Sequence, residues 1–182
     1  ALYAQKGHVV GVPTGFADLD GILGGLRKSD FIVLAARPSA GKTALGLSIA
    51  SNAAKSGVPV GIFSLEMSAE QLVQRLVAME ARIDAHRLST GYFSEDDWPT
   101  ISQAMAILSE LPIFIDDSAA STVMELRSKA RRLKAEQDIG LIVIDYLQLM
   151  QGRGLENRVQ EVSEISRALK GLARELEVPV LT

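Results

Sequence analysis

The chain has 182 residues, 47% of them hydrophobic, 23% charged and 5% aromatic, with a formal net charge of −3. That is the composition of one globular domain with a substantial core; the small net charge neither demands nor excludes a nucleic-acid partner, since such binding rests on local patches. The lack of cysteine excludes disulfides and thiolate metal sites and points to a reducing compartment.

Apolar runs fall far short of the ~20 residues of a membrane span, and nothing ahead of the first strand reads as a signal peptide. A soluble, cytoplasmic domain with no membrane partner is the expectation. Residues 1–11 read as the end of a linker and residues 12–182 as the folded domain. Val12-Pro13-Thr14-Gly15-Phe16 is a turn, and Leu19, Ile22, Leu23 and Leu26 repeat at helical spacing before Gly24-Gly25 ends the pattern. Phe31 to Leu34 has the length and apolarity of a buried strand, and Pro38 and Gly41 break it. Ala44–Lys55 follows as a helix stopped by Gly57.

A second strand, Val58–Leu65, ends at Glu66, and Ser68 with Gln71 forms a capping box for a helix whose apolar face is Leu72, Leu76, Met79 and Ile83. Asp84–Phe93 is expected as a connecting loop. Ser94-Glu95-Asp96-Asp97 is a one-turn prelude, because Pro99 restricts the helix proper to a start near Asp97; Ile101, Met105 and Leu108 are its expected buried stripe. Pro112–Ile115 is a third strand ending at Asp116-Asp117. Thr122 and Glu125 cap a helix with apolar Val123, Leu126, Ala130 and Leu133, its other side carrying Arg127, Arg131 and Lys134 as a solvated face or a subunit contact. Leu141 to Asp145 is a fourth strand, apolar on both sides and therefore central. Residues 151–157 form a glycine- and charge-rich loop. Val159, Val162, Ile165, Leu169, Leu172 and Leu176 mark a long amphipathic helix, and Val178–Leu181 is a fifth strand. Strands alternating with helices predict a mainly parallel α/β sheet covered on both faces.

The strand-to-helix turn carries the chemistry. Gly41-Lys42-Thr43 completes the phosphate-binding loop pattern G-x-x-x-x-G-K-[ST], with Ala36 where the first glycine usually stands. A triphosphate is strongly anionic, and a helix N-terminus offers unpaired N–H groups and a positive dipole end. The loop and its flank, Ala36, Arg37, Pro38, Ser39, Ala40, Gly41, Lys42, Thr43 and Ala44, read as the ATP cradle. Lys42 supplies a point charge for the β- and γ-phosphates, and Thr43 a hydroxyl for Mg²⁺.

In open α/β sheets, ligands sit beyond the carboxyl ends of the strands. Asp145, closing four apolar residues downstream of the loop, fits the acid that holds Mg²⁺ in such ATPases. Glu66 ends the expected neighbouring strand, where a carboxylate activates the attacking water or serves structure; spacing alone leaves both open. Asp116 and Asp117 read as helix-start or loop acids. Arg153 and Arg158, with Gly152 and Gly154, make a loop suited to a phosphate backbone or simply to solvent.

Thr14-Gly15-Phe16 with Leu19-Asp20, Ala35-Ala36-Arg37-Pro38-Ser39 before Gly41-Lys42-Thr43, and Phe63-Ser64-Leu65-Glu66-Met67-Ser68 together resemble the RecA-like motor domain of bacterial replicative helicases of the DnaB type. Ile144-Asp145-Tyr146-Leu147-Gln148-Leu149 and Glu156-Asn157-Arg158 through Glu161 to Arg167 extend the resemblance, which runs from Val12 on. It implies a RecA-like P-loop ATPase core in a homohexameric ring, binding ATP between subunits and moving along single-stranded DNA during replication, with primase and a helicase loader as partners. It assigns Glu66 the catalytic base, Lys42 and Thr43 the phosphate and Mg²⁺ contacts, Asp145 the metal, and Arg75 a place near the site.

In the resembled family the chain continues past Leu181-Thr182 into a Ser-Gln-Leu segment with a γ-phosphate-sensing glutamine, the main DNA loop and an arginine finger. The C-terminal part of the fold is therefore expected to be missing, and residues 1–182 alone to hydrolyse ATP poorly. The loop at 151–157 is a few residues shorter than is usual there. A RecA-like recombination or repair ATPase and an ATP-gated assembly or signalling switch are the alternatives; Phe63 to Met67 and Asp145 to Leu149 favour the helicase.

Overall fold

The computed structural model describes residues 10–37, 40–118, 122–145 and 158–182, Arg158 by its backbone alone. These build one parallel sheet from β1 (Phe31–Ile32), β2 (Val60–Ser64), β3 (Ile113–Asp116), β4 (Leu141–Asp145) and β5 (Val180–Leu181), in the order β1-β5-β4-β2-β3. The uninterrupted Leu-Ile-Val-Ile run puts β4 at the centre, as expected. Successive side chains of a strand face opposite ways. Leu141 and Val143 of β4 join Val60 and Ile62 of β2 in one core, and Ile142 and Ile144 join Phe63 in the other.

The first core is closed by α2 (Lys42–Lys55) and α3 (Ala69–Ala81), through Leu47, Ala50, Ala53, Leu72 and Leu76. The second is closed by α6 (Val123–Gln137) and α7 (Arg158–Leu176), through Leu126, Ala130, Ile165, Leu169, Leu172 and Ala173. Helices therefore cover both faces. The Ser68–Gln71 and Thr122–Glu125 capping boxes both form. Arg127 and Arg131 of α6 fork onto Glu175 of α7, Arg127 at 2.5 Å, so two of the three cations on this largely solvated face also tie the helices together. None of the described helices is long and apolar enough to cross a membrane.

Several expectations fail at the level of packing. The connecting loop contains a helix, α4 (Ala85–Thr90), capped by Asp84, whose Oδ1 accepts from His86 N at 2.9 Å and Arg87 N at 3.1 Å. It buries no residue, so no apolar period marks it. The 3₁₀ turn Glu95–Asp97 and α5 (Trp98–Glu110) match the prelude and its Pro99. Met105, however, is 54% exposed; Ala104 takes the buried place beside Ile101, Val77 and Ala81, where α3 and α5 approach on small side chains. In α1 (Ala17–Leu23) nothing is buried, Ile22 is exposed, and Leu26 reaches the core only after the helix has ended, bridged to Val12. Val159 is likewise exposed, and the buried stripe of α7 begins later.

The Thr14–Asp20 stretch owes its residue types to local bonding. Thr14 donates from its amide and its hydroxyl to Asp20 Oδ1 at 2.9 and 2.8 Å, and Asn52 Nδ2 of α2 donates to Thr14 O at 3.0 Å. Gly15 has φ +80, and a Cβ there would lie 2.2 Å from Asn52 Nδ2, so only glycine lets the turn dock on α2.

Candidate nucleotide site

After β1 the chain passes Arg37, whose carbonyl accepts from Ala40 N at 3.1 Å, and turns at Gly41. Gly41 has φ +91, where side-chain-bearing residues are strained, and stands as the N-cap of α2. The helix begins at Lys42 rather than at Ala44, so Lys42 and Thr43 occupy its first turn, where backbone N–H groups have no intrahelical carbonyl to meet. Ala36, Arg37, Ala40 and Ala44 are exposed around this start. Pro38 and Ser39 lie outside the described residues.

The distant acid arrives as expected. Thr43 Oγ1 donates to Asp145 Oδ2 at 2.9 Å, and Lys42 Nζ stands 3.6 Å from Asp145 Oδ1. One carboxylate at the end of the central strand thus keeps the ammonium and the hydroxyl side by side. Asp145 is 8% exposed, which strengthens both contacts relative to water. A small cavity of about 20 Å³ beside them is lined by Lys42, Thr43, Asp145, Leu34, Gly46 and Thr182, among others.

Glu66 follows the end of β2, the strand beside β4. Ser64 pairs in register with Asp145, and Leu65 N still donates to Asp145 O at 2.7 Å, which leaves Glu66 on the turn immediately beyond. Its side chain is exposed and has no hydrogen bond or ion pair among the described residues. Arg75 is not brought into this cluster: it is exposed on α3, about two turns past Ser68, and bonds to none of Lys42, Thr43, Glu66 or Asp145. Arg153 and the Arg158 side chain lie outside the described residues, as do Tyr146 to Leu149, the loop at 151–157 and the linker residues 1–9.

The acids at the end of β3 are held by neighbouring groups. Asp116 accepts from Ser118 and pairs with Lys129 at 3.3 Å; against the opposing effect of burial, the Ser118 hydroxyl and amide and the Lys129 ammonium hold its carboxyl below the usual aspartate value. Asp117 Oδ2 accepts from Ala69 N at 2.7 Å at the start of α3. Two features escaped the sequence reading. One is that Asp117 bond, between residues 48 apart. The other is Thr182, whose buried Oγ1 has no partner among the described residues although it lines the cavity beside Asp145.

The DnaB-like helicase C-terminal domain family model matches residues 11–182. The chain belongs to that family. It is 54% identical to the replicative DNA helicase DnaB of Geobacillus stearothermophilus over 99% of its own length and 40% of that protein's. It is 58% identical to DnaB of Nostoc sp. over 94% of its length and 20% of that protein's. Among solved structures, one described as an ATPase domain superposes with a TM-score of 0.92 at 35% identity, covering 99% of this chain and 65% of the other. A DnaB-like replicative helicase described with its interactions with primase also gives 0.92 at 35% identity, with 44% of that chain covered. The DnaB-like chain thus spans 40% or less of the two curated relatives, and the RecA-like expectation for the fold holds.

Proposed function

We propose that this chain is the ATP-hydrolysing motor of a replicative DNA helicase, turning hydrolysis into movement along single-stranded DNA and separation of the duplex. The observation that carries the reading is the Thr43–Asp145–Lys42 constellation at the start of α2, with the unpartnered Glu66 just past the end of β2, in a chain of the DnaB-like family.

The residues present suit ATP with Mg²⁺. A hydroxyl and a carboxylate are the hard oxygen donors that Mg²⁺ takes when phosphates and water complete its shell. Among the described residues no group of three or more His, Cys, Asp or Glu gathers into a protein-only metal cage. Thr43 and Asp145 would hold the ion, and Mg²⁺, when bound, neutralises phosphate charge. Lys42 offers its ammonium to the β- and γ-phosphates, and the first-turn N–H groups of α2 offer further donors. Glu66 is free to accept a proton from water and to orient it, the part of a general base. Arg37, Pro38, Ser39 and Ala40 complete the cradle, with Arg75 of α3 as a further cation for the nucleotide.

The wider reading follows the family: a hexameric ring in a cytoplasmic replication complex, DNA held in part by Arg153 and Arg158, and contact with primase and a helicase loader. A recombination ATPase or a signalling switch draws no specific support. ATP hydrolysis measured with and without single-stranded DNA, on a chain extended to the length of its relatives, tests the proposal.

A further inference from the structure

Glu66 has no side-chain partner among the described residues, so the backbone of its turn decides where the carboxylate stands. The turn is held at both ends. On the β2 side, Ser64 Oγ donates to Met67 O at 2.6 Å and accepts from Met67 N at 3.1 Å, while Leu65 N is fixed to Asp145 O. On the α3 side, the Ser68–Gln71 box closes the helix start upon itself, and Ala69 N donates to Asp117 Oδ2 at 2.7 Å. That last bond ties the start of α3 to the end of β3 rather than to its own first turn. It is short and charge-assisted, and it places a carboxylate at the positive end of α3. Asp116 beside it is already engaged by Ser118 and Lys129, which steadies the segment that presents Asp117.

We propose that Asp117 is a positioning residue for hydrolysis: by holding Ala69 N it sets the course of the Ser64–Ala69 turn, and so the place of the Glu66 carboxylate relative to Thr43 and Asp145. The inference rests on Glu66 acting as the general base. Asp117 is exposed and fills no core space, so its truncation releases the turn without opening a cavity. A base displaced by about 1 Å loses up to ~10²-fold in rate.

The test uses a chain extended to the length of its relatives and carrying Asp117→Ala, Asp117→Asn, Glu66→Gln or Asp117→Ala with Glu66→Gln. Asp117→Ala is expected to lower kcat about tenfold or more while the affinity for a fluorescent ATP analogue stays unchanged. Asp117→Asn, which keeps an acceptor oxygen, is expected to restore most of the rate. In the Glu66→Gln background Asp117→Ala should cost nothing further, because a base that is gone cannot be misplaced. If Asp117→Ala does not fold, Asp117→Glu, which shifts the acceptor by one methylene, is read the same way. A kcat unchanged by Asp117→Ala, or a loss of equal size in the Glu66→Gln background, overturns the inference while leaving the base in place. A Glu66→Gln enzyme as fast as wild type removes the base reading itself, and the role of Asp117 with it.

Discussion

At the scale of single residues, the proposed function assigns binding and chemistry to different places. Lys42 and Thr43 share Asp145 at the start of α2, whereas Glu66 stands alone on the next strand's turn. Lys42→Ala is expected to weaken ATP binding about 10–100-fold, the worth of a hydrogen bond to a charged group. Titration with a fluorescent nucleotide checks this, and unchanged affinity would remove the phosphate-loop assignment. Glu66→Gln is expected to bind ATP and Mg²⁺ normally but to hydrolyse it ~10²–10⁴-fold more slowly. A turnover within about threefold of wild type, well short of the loss expected when a general base is removed, would move the base elsewhere. Lys42, Thr43 and Asp145 were legible in the sequence because their motif encodes a backbone shape and a strand end. The Asp117 bond was not, since its partner is a main-chain N–H that almost any residue at position 69 supplies.

Among the elements, what could be read was whatever had a period or a cap. The apolar run of β4 and the Ser68 and Thr122 capping boxes stand where the residues put them. The short α4 was invisible, because a helix that buries nothing has no stripe. Met105 misled for the opposite reason: it is the bulkier apolar residue, but it faces outward, and Ala104 is the one buried beside Ile101 between α3 and α5. The α6–α7 pair depends on Glu175, whose carboxyl lies below its usual pKa chiefly through its bond to Arg131, with burial opposing and Arg127 adding to the effect. A depressed carboxylate contributes stability that is present above its unfolded pKa and lost as pH falls through the folded one. Glu175→Gln should therefore cost up to about 1 kcal/mol at pH 7, the range of exposed ion pairs. The difference from wild type should begin to shrink as pH drops below the ordinary glutamate value of about 4.3 and vanish only once pH has fallen through the lower folded-state value. Urea unfolding at both pH values checks this; a gap that persists in acid would mean that packing, not charge, joins the helices.

For the molecule as a whole, the site residues that the structure gathers lie at the carboxyl ends of β2, β4 and β5 or at the start of α2. ATP at that edge and DNA at the loop following β4 would be joined through one strand, the reason to expect that each affects the other. Replacing Arg153 and Arg158 together should weaken single-stranded DNA binding about equally for any sequence. It should flatten the dependence of log K on log salt by at most ~0.7 per lost phosphate contact; an unchanged slope would return the loop to solvent. The most direct measurement of the central claim is the steady-state ATPase rate of a chain extended to the length of its relatives, with and without single-stranded DNA. A motor should turn over faster when DNA is present, and lose that stimulation together with its basal rate in Glu66→Gln. ATP hydrolysis indifferent to DNA, or untouched by that substitution, would contradict the account.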